Sequence, residues 1–177
     1  MLQKFKTQLE QVEKSESYTK FKSEHPESYL SSGFVIIEDV QAMNNHDWQV
    51  DFYCPKDKKI FTFLVHSDSV EEKPSDKVFQ KVEKDLEPID IDRFSLSPEQ
   101  VIELVREDNI KNNRKVLPSK IIFILQKSEG INVYKVIIIT LQMSVLSATV
   151  DANTGEIIKI ASQNIFDFGS MQKGNAK

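Results

Sequence analysis

The sequence predicts an α+β fold built from two successive units, each a helix followed by an antiparallel meander. Three observations carry this expectation. Apolar residues recur at helical spacing at the start of the chain and again after "SLSPEQ". Each helical stretch is followed by runs of strand length and strand period, and short turn sequences separate those runs. The pattern divides the chain into a first unit over residues 1–72, a connector over 73–95, a second unit over 96–162 and a tail over 163–177.

Leu2, Phe5, Leu9 and Val12 stand three and four positions apart and define one face of a first helix, with Lys and Glu around the rest. The stripe loses register at "EKSES", where Ser15 is placed to cap a second helix carrying Tyr18 and Phe21. That helix should stop at Pro26, because the residue before a proline is pushed out of the helical region. Gly33 reads as a turn. The runs "FVIIEDV", "DWQVDFYCP" and "KIFTFLVHS" then read as strands. In the middle one Trp48, Val50, Phe52 and Cys54 point one way and Gln49, Asp51 and Tyr53 the other, the period of a half-buried strand, and "CPKDKK" closes a hairpin to the next.

Residues 67–96 are polar and include Pro74 and Pro88, so they read as a connector with at most one short helix. The next helix has the clearest signals: Ser97 at the N-cap, Pro98 at the first position, Gln100 completing a capping box, and Leu96 with Val101 as a hydrophobic staple. It should bury Val101, Ile102, Leu104 and Val105 and run to about Asn109. Three strands follow, "KIIFILQ", "INVYKVIIIT" and "SVLSATV", joined by "KSEG" and "LQMS", and then "EIIKI".

The two units can be laid over one another, Trp48 on Tyr134 and Val65 on Val150, with Glu71 falling on Glu156. A meander entered from a capped helix and ending in "VDANTGEII" resembles the PepSY domain, and "SLSPEQVIELV" resembles the start of the PepSY helix. The resemblance covers roughly residues 96–161, with a weaker echo over 1–72, and the whole chain is similar to archaeal proteins of the same build. It implies a tandem PepSY-like protein that binds and restrains a partner protein, as PepSY domains do in peptidase propeptides and in membrane or cell-wall proteins. The chain departs from that setting in showing no peptidase domain, so protease inhibition is not carried over.

Composition excludes several classes. With 40% apolar and 28% charged residues and a net charge of −4, the chain has no basic block that would mark a nucleic-acid binder. "MLQKFKTQLE" lacks the apolar run of a secretory signal, and "VIIITL" is too short to span a bilayer, so a cytoplasmic protein is expected. The single Cys54 permits no internal disulfide and no cysteine-based zinc cage.

Asp151, Asn153 and Gly155 alternate as in a calcium loop, but glycine falls fifth rather than sixth and Ser162 stands where the twelfth-position glutamate is needed. They are expected to shape a hairpin turn: Asp151 bonding the backbone, Asn153 favouring the turn and Gly155 supplying a positive φ. His25, His46 and His66 look isolated at this level, Cys54 shares a strand face with Trp48 and Phe52 and reads as core, and "GSMQKGNAK" lacks the Lys-Ser/Thr of a phosphate loop. No catalytic residue, metal or cofactor is therefore expected, and the chain reads as a non-enzyme.

One asymmetry bears on function. Gln49, Asp51 and Tyr53 correspond to Lys135, Ile137 and Ile139, so the second unit has a strand apolar on both faces that needs a cover. The other unit, a second copy of the chain, or the tail with Ile165, Phe166 and Phe168 are the three possible covers. The leading expectation is a protein-binding or regulatory module, acting on a protein partner or as a homodimer through Lys135, Ile137 and Ile139. The alternative is a carrier or sensor of a small apolar ligand held by Trp48, Phe52, Tyr134 and Ile138; an enzyme whose carboxylates converge only in the fold stands third.

Overall fold

The computed structural model describes residues 1–66, 69–73, 76–77, 85–112 and 117–164. Helix α1 spans Leu2–Glu13 and buries Phe5, Gln8, Leu9 and Val12. Gln8 is the polar member of that face because its amide is satisfied on both sides: Nε2 donates to Asp47 at 3.0 Å and Oε1 accepts the Trp48 N–H at 3.0 Å. Ser15 caps α2, Glu16–Glu24, by accepting the Tyr18 N–H, and α2 buries Phe21. Strands β1 (Tyr29–Ile37), β2 (Gln49–Cys54) and β3 (Lys59–Val65) form a meander, to which β4 (Val70–Glu72) and β5 (Asp76–Lys77) add on β3. Helix α3, Pro98–Lys111, opens with the reciprocal Ser97–Gln100 capping box. It leads into β6 (Pro118–Ser128), β7 (Ile131–Thr140), β8 (Ser144–Asp151) and β9 (Ile157–Asn164).

The described strands make one antiparallel sheet in the order β4-β3-β2-β1-β6-β7-β8-β9, with β5 also on β3. The two units join edge to edge where β1 meets β6, Phe34 opposite Ile124 and Ile36 opposite Ile122. One face of the sheet carries the helices. Val50, Gly33, Leu125, Tyr134 and Val150 lie opposite one another across five strands on that face. Phe5 of α1 lies over Gly33, and the Tyr134 hydroxyl donates to the Leu96 carbonyl just before α3 at 2.7 Å. Trp48, Phe52, Phe63, Phe123 and Tyr134 are fully or almost fully buried there, in one continuous core with the helices. Among the described residues, no helix is long and apolar enough to cross a membrane.

Several expectations are corrected. Gly33 is not a turn but the interior of β1, because a Cβ there would stand 2.5 Å from the Phe5 ring; only glycine lets α1 approach the sheet so closely. Strand β1 accordingly begins at Tyr29. Asp51 and Tyr53, expected on a solvated face, are buried along with the other side of β2. The first meander has a fourth strand, and β4 and β5 fall in the stretch 67–96 read as connector, while β9 covers the run "EIIKI". Within its described stretch 85–95, part of the connector packs on the sheet. Ile89, Ile91 and Phe94 enter the core, the Ile89 N–H donates to Leu30 at 2.9 Å, and the Glu87 carboxylate accepts the Gly130 N–H at 3.0 Å in the β6–β7 turn. On α3, Asn109 is buried and Leu104 only partly so.

Candidate functional site

The face opposite the helices is defined by register. Phe34, Ile124 and Lys135 lie side by side, with Ile36, Ile122 and Ile137 beside them and Ile139 opposite Val145 one step further on. Alternation along each strand sends these side chains to the side away from α1 and α3, since their neighbours Val35, Ile121, Phe123, Val136 and Ile138 are buried under the helices. The result is an apolar patch spread over β1, β6, β7 and β8. Its members are half-buried, save Ile36, which is 37% exposed. Lys135 and Lys159 border it, Thr149 standing between them, and neither has a carboxylate partner among the described residues. Lys120 is engaged by Glu38 at 2.8 Å. Ile137, Ile139 and Lys135 thus sit on one surface. The tail cover, Ile165, Phe166 and Phe168, lies outside the described residues.

At the other end of the same face the pattern inverts. Ser32, Asp51 and Thr62 lie opposite one another on β1, β2 and β3. Asp51 accepts from the Ser32 hydroxyl at 2.9 Å and from the Thr62 hydroxyl at 2.7 Å. Burial raises its pKa above the ordinary aspartate value, and the two hydroxyls pull it partly back. Beside it the Tyr53 hydroxyl donates to Asp85 and the Tyr29 hydroxyl to the Leu86 carbonyl, so the connector is fastened over this end. Desolvation, with Asp85 adding to it, pushes the Tyr53 phenol well above the usual tyrosine range.

Trp48, Phe52, Tyr134 and Ile138 all lie in the core under the helices. The Trp48 Nε1 has no hydrogen-bond partner among the described residues. Two described concavities lie elsewhere. One runs along α3 and is lined by Leu96, Glu99, Gln100, Glu103, Leu104 and Glu107; the other lies by the β6–β7 turn. In the β8–β9 turn Asp151 Oδ1 accepts the N–H groups of Asn153 at 2.7 Å and Thr154 at 2.9 Å, which holds its carboxyl below the usual range. Gly155 has φ +79°, and its Cα faces Leu104 and Leu96 so closely that a Cβ would stand 2.9 Å from Leu104.

The structure corrects the isolation expected for the histidines. His66 Nε2 lies 3.1 Å from Glu71, and His46 Nε2 accepts the Asp39 N–H at 3.5 Å. His25 is the informative case. Phe21 docks α2 on Phe52, Phe61 and Phe63, which carries the helix C-terminus to the β2–β3 hairpin. There His25 Nδ1 lies 3.7 Å from Cys54 Sγ and 3.3 Å from Asp57 Oδ2. Two carboxylates are within reach of the single thiol proton, Asp57 at 3.4 Å and Glu27 at 3.3 Å. Burial raises the Cys54 pKa, and both carboxylates add to that while the Asp57 N–H opposes it. A protonated thiol is a poor nucleophile. The sequence signal for this cluster is short: "HPE" before β1 and "CPKD" across the hairpin, recognisable only once α2 is known to end there.

Fold and sites together define a class: an α+β protein with its helices on one face of a long antiparallel sheet and a second face left half-exposed. No protein-family model matches the chain, and no curated protein matches it in sequence. Among solved structures it is similar to the crystal structure of a "putative lipoprotein" from Clostridium difficile 630. The TM-score is 0.52 and the identity 16%, over 83% of this chain and 90% of that one. At this identity the likeness is one of fold.

Proposed function

We propose that the chain is a non-catalytic protein-binding or regulatory module of tandem PepSY-like build, which docks an apolar protein surface on the sheet face opposite its helices. The observation that carries this is the patch of Phe34, Ile36, Ile122, Ile124, Ile137 and Ile139, contiguous across the seam between the units. A patch of this kind, rimmed by polar residues, is characteristic of interaction sites. Lys135 and Lys159 at its border favour a partner with an acidic rim. The tandem build has support in the register. The strand order places β1, β2, β3 and β4 outward on one side of the seam and β6, β7, β8 and β9 outward on the other. Leu64, Gln49 and Phe34 run outward-to-seam just as Thr149, Lys135 and Ile124 do. Chemistry supports a non-catalytic role: the buried carboxyl of Asp51 is committed to two hydroxyls, and the Cys54 thiol is held protonated.

Native mass spectrometry of protein purified gently from its own host tests this. A stoichiometric protein adduct, either another chain or a second copy, is expected for the wild type and is expected to be lost in Ile137→Lys at unchanged melting temperature. A bare monomer in both, or an adduct indifferent to Ile137→Lys, would overturn the proposal.

A further inference from the structure

We propose that His25, Cys54 and Asp57 form a binding site for a zinc-class divalent ion, on the helix side of the sheet and separate from the apolar patch. The three ligand atoms, His25 Nδ1, Cys54 Sγ and Asp57 Oδ2, all lie within 4.8 Å of one another. Their separations are 3.7 Å for sulfur to nitrogen, 3.4 Å for sulfur to oxygen and 3.3 Å for nitrogen to oxygen. An ion bound at zinc's usual distances to sulfur, nitrogen and oxygen, with tetrahedral angles, sets its ligands about 3.3–3.6 Å apart. The triangle therefore needs adjustments of about 0.1–0.2 Å to accept one.

The ligands are placed by backbone that is fixed without any ion. His25 is the C-cap of α2: its N–H donates to the Phe21 carbonyl at 2.9 Å, and its own carbonyl accepts both the N–H and the hydroxyl of Ser28. The imidazole packs against Phe21 and Phe61, with ring centroids 5.3 and 4.5 Å away. Cys54 ends β2, and Asp57 sits in the hairpin turn that Lys58 closes at φ +51°. Cys54 is fully buried at the margin of the core, and its sulfur has an imidazole and two carboxylates within reach in addition to its apolar neighbours. His25 and Asp57 side chains are 21% and 37% exposed, which leaves a path for the ion from solvent. The fourth position falls to water or to Glu27, whose carboxylate lies 3.3 Å from the sulfur on an exposed residue.

The donor set selects the ion. The ion displaces the Cys54 thiol proton to solvent on binding, and the resulting thiolate, with one imidazole and one carboxylate, favours zinc or cobalt(II) over magnesium or calcium, which take oxygen ligands in larger number. Bound there, the ion would tie the end of α2 to the β2–β3 hairpin, so ion binding and stability are linked.

The test is titration of the reduced, full-length chain with Co²⁺, read by absorbance. Cys54 is the only cysteine in the chain, so a cobalt–thiolate charge-transfer band reports this site alone. The expected result is one Co²⁺ per chain with that band, its displacement by Zn²⁺, and a rise in melting temperature with Zn²⁺. Cys54→Ser should abolish the band. Asp57→Asn, at an exposed turn where folding is not at stake, should weaken Co²⁺ binding by at least about tenfold, the loss typical even of outer-shell partners. A folded wild type that gives no charge-transfer band in excess Co²⁺, or an affinity untouched by Asp57→Asn, would overturn the proposal. Neither result depends on Ile137 or on a protein partner.

Discussion

The two ends of the helix-free sheet face are built in opposite chemistry. At one end Ser32, Asp51 and Thr62 form a closed polar set, roofed nearby by connector residues that Tyr53 and Tyr29 hold down. At the other, Ile36 of β1 lies beside Ile122 and Ile137 across the seam, with Ser147 next in the row and lysines at the border. A closed polar set has its partners inside the molecule, whereas an apolar stripe left half-exposed would, on the docking proposal, find them outside. Substitutions at the polar end should therefore register in stability, and those at the apolar end in association.

The largest stability effect expected is from Asp51→Ala. It leaves two hydroxyls without their acceptor in a buried place and should cost about 1–3 kcal/mol, read by urea denaturation. An Asp51→Ala protein as stable as the wild type would erase the distinction between the ends. Asp51→Asn sharpens the contrast. Because burial raises the Asp51 pKa, the folded state keeps its proton to higher pH than the unfolded chain, whose aspartate titrates near 3.8. The contribution of this group is fully present below that value and is lost as pH rises through the folded-state pKa. Asn removes the loss, so Asp51→Asn should gain stability over wild type at neutral pH and show no such gain in acid. A pH series of denaturation curves with parallel slopes for both proteins would contradict this.

At the apolar end the expected stability changes are smaller. Ile122→Ser should cost about 1 kcal/mol, since only part of that side chain is withdrawn from water, while association falls sharply. Ile36→Thr, at the most exposed position of the stripe, should stay within about 0.5 kcal/mol by thermal unfolding. If either variant unfolds like a core substitution, the stripe is interior packing and not a docking surface.

The sequence carried the parts of this picture that depend on local spacing. The α1 stripe, the Ser15 cap and the Ser97–Gln100 box are legible because their partners stand within a few residues. Strands β6, β7 and β8 are legible because their turns are short, and the Lys135, Ile137 and Ile139 face follows from period two alone. What depends on distant partners was not legible. Gly33 looked like a turn because Phe5, which requires the glycine, lies far back in α1. Asp51 looked solvated because its burial is a property of neighbouring strands and connector, and Ile89, Ile91 and Phe94 were hidden in a polar context. His25, Cys54 and Asp57 looked unrelated because only the docking of α2 through Phe21 brings them together.

The seam between β1 and β6 has a kinetic consequence. Apart from it, the ladders of the sheet join strands close in sequence, whereas the seam pairs Phe34 with Ile124, about ninety positions on. Closing so long a loop is entropically costly, and local pairings repay their cost sooner. The two meanders are expected to form first as separate arrays, each with a bare central edge, and to zip together last. Until then the strand that will become the middle of the sheet is an open edge, and the encounter of those two edges is expected to be the slow step.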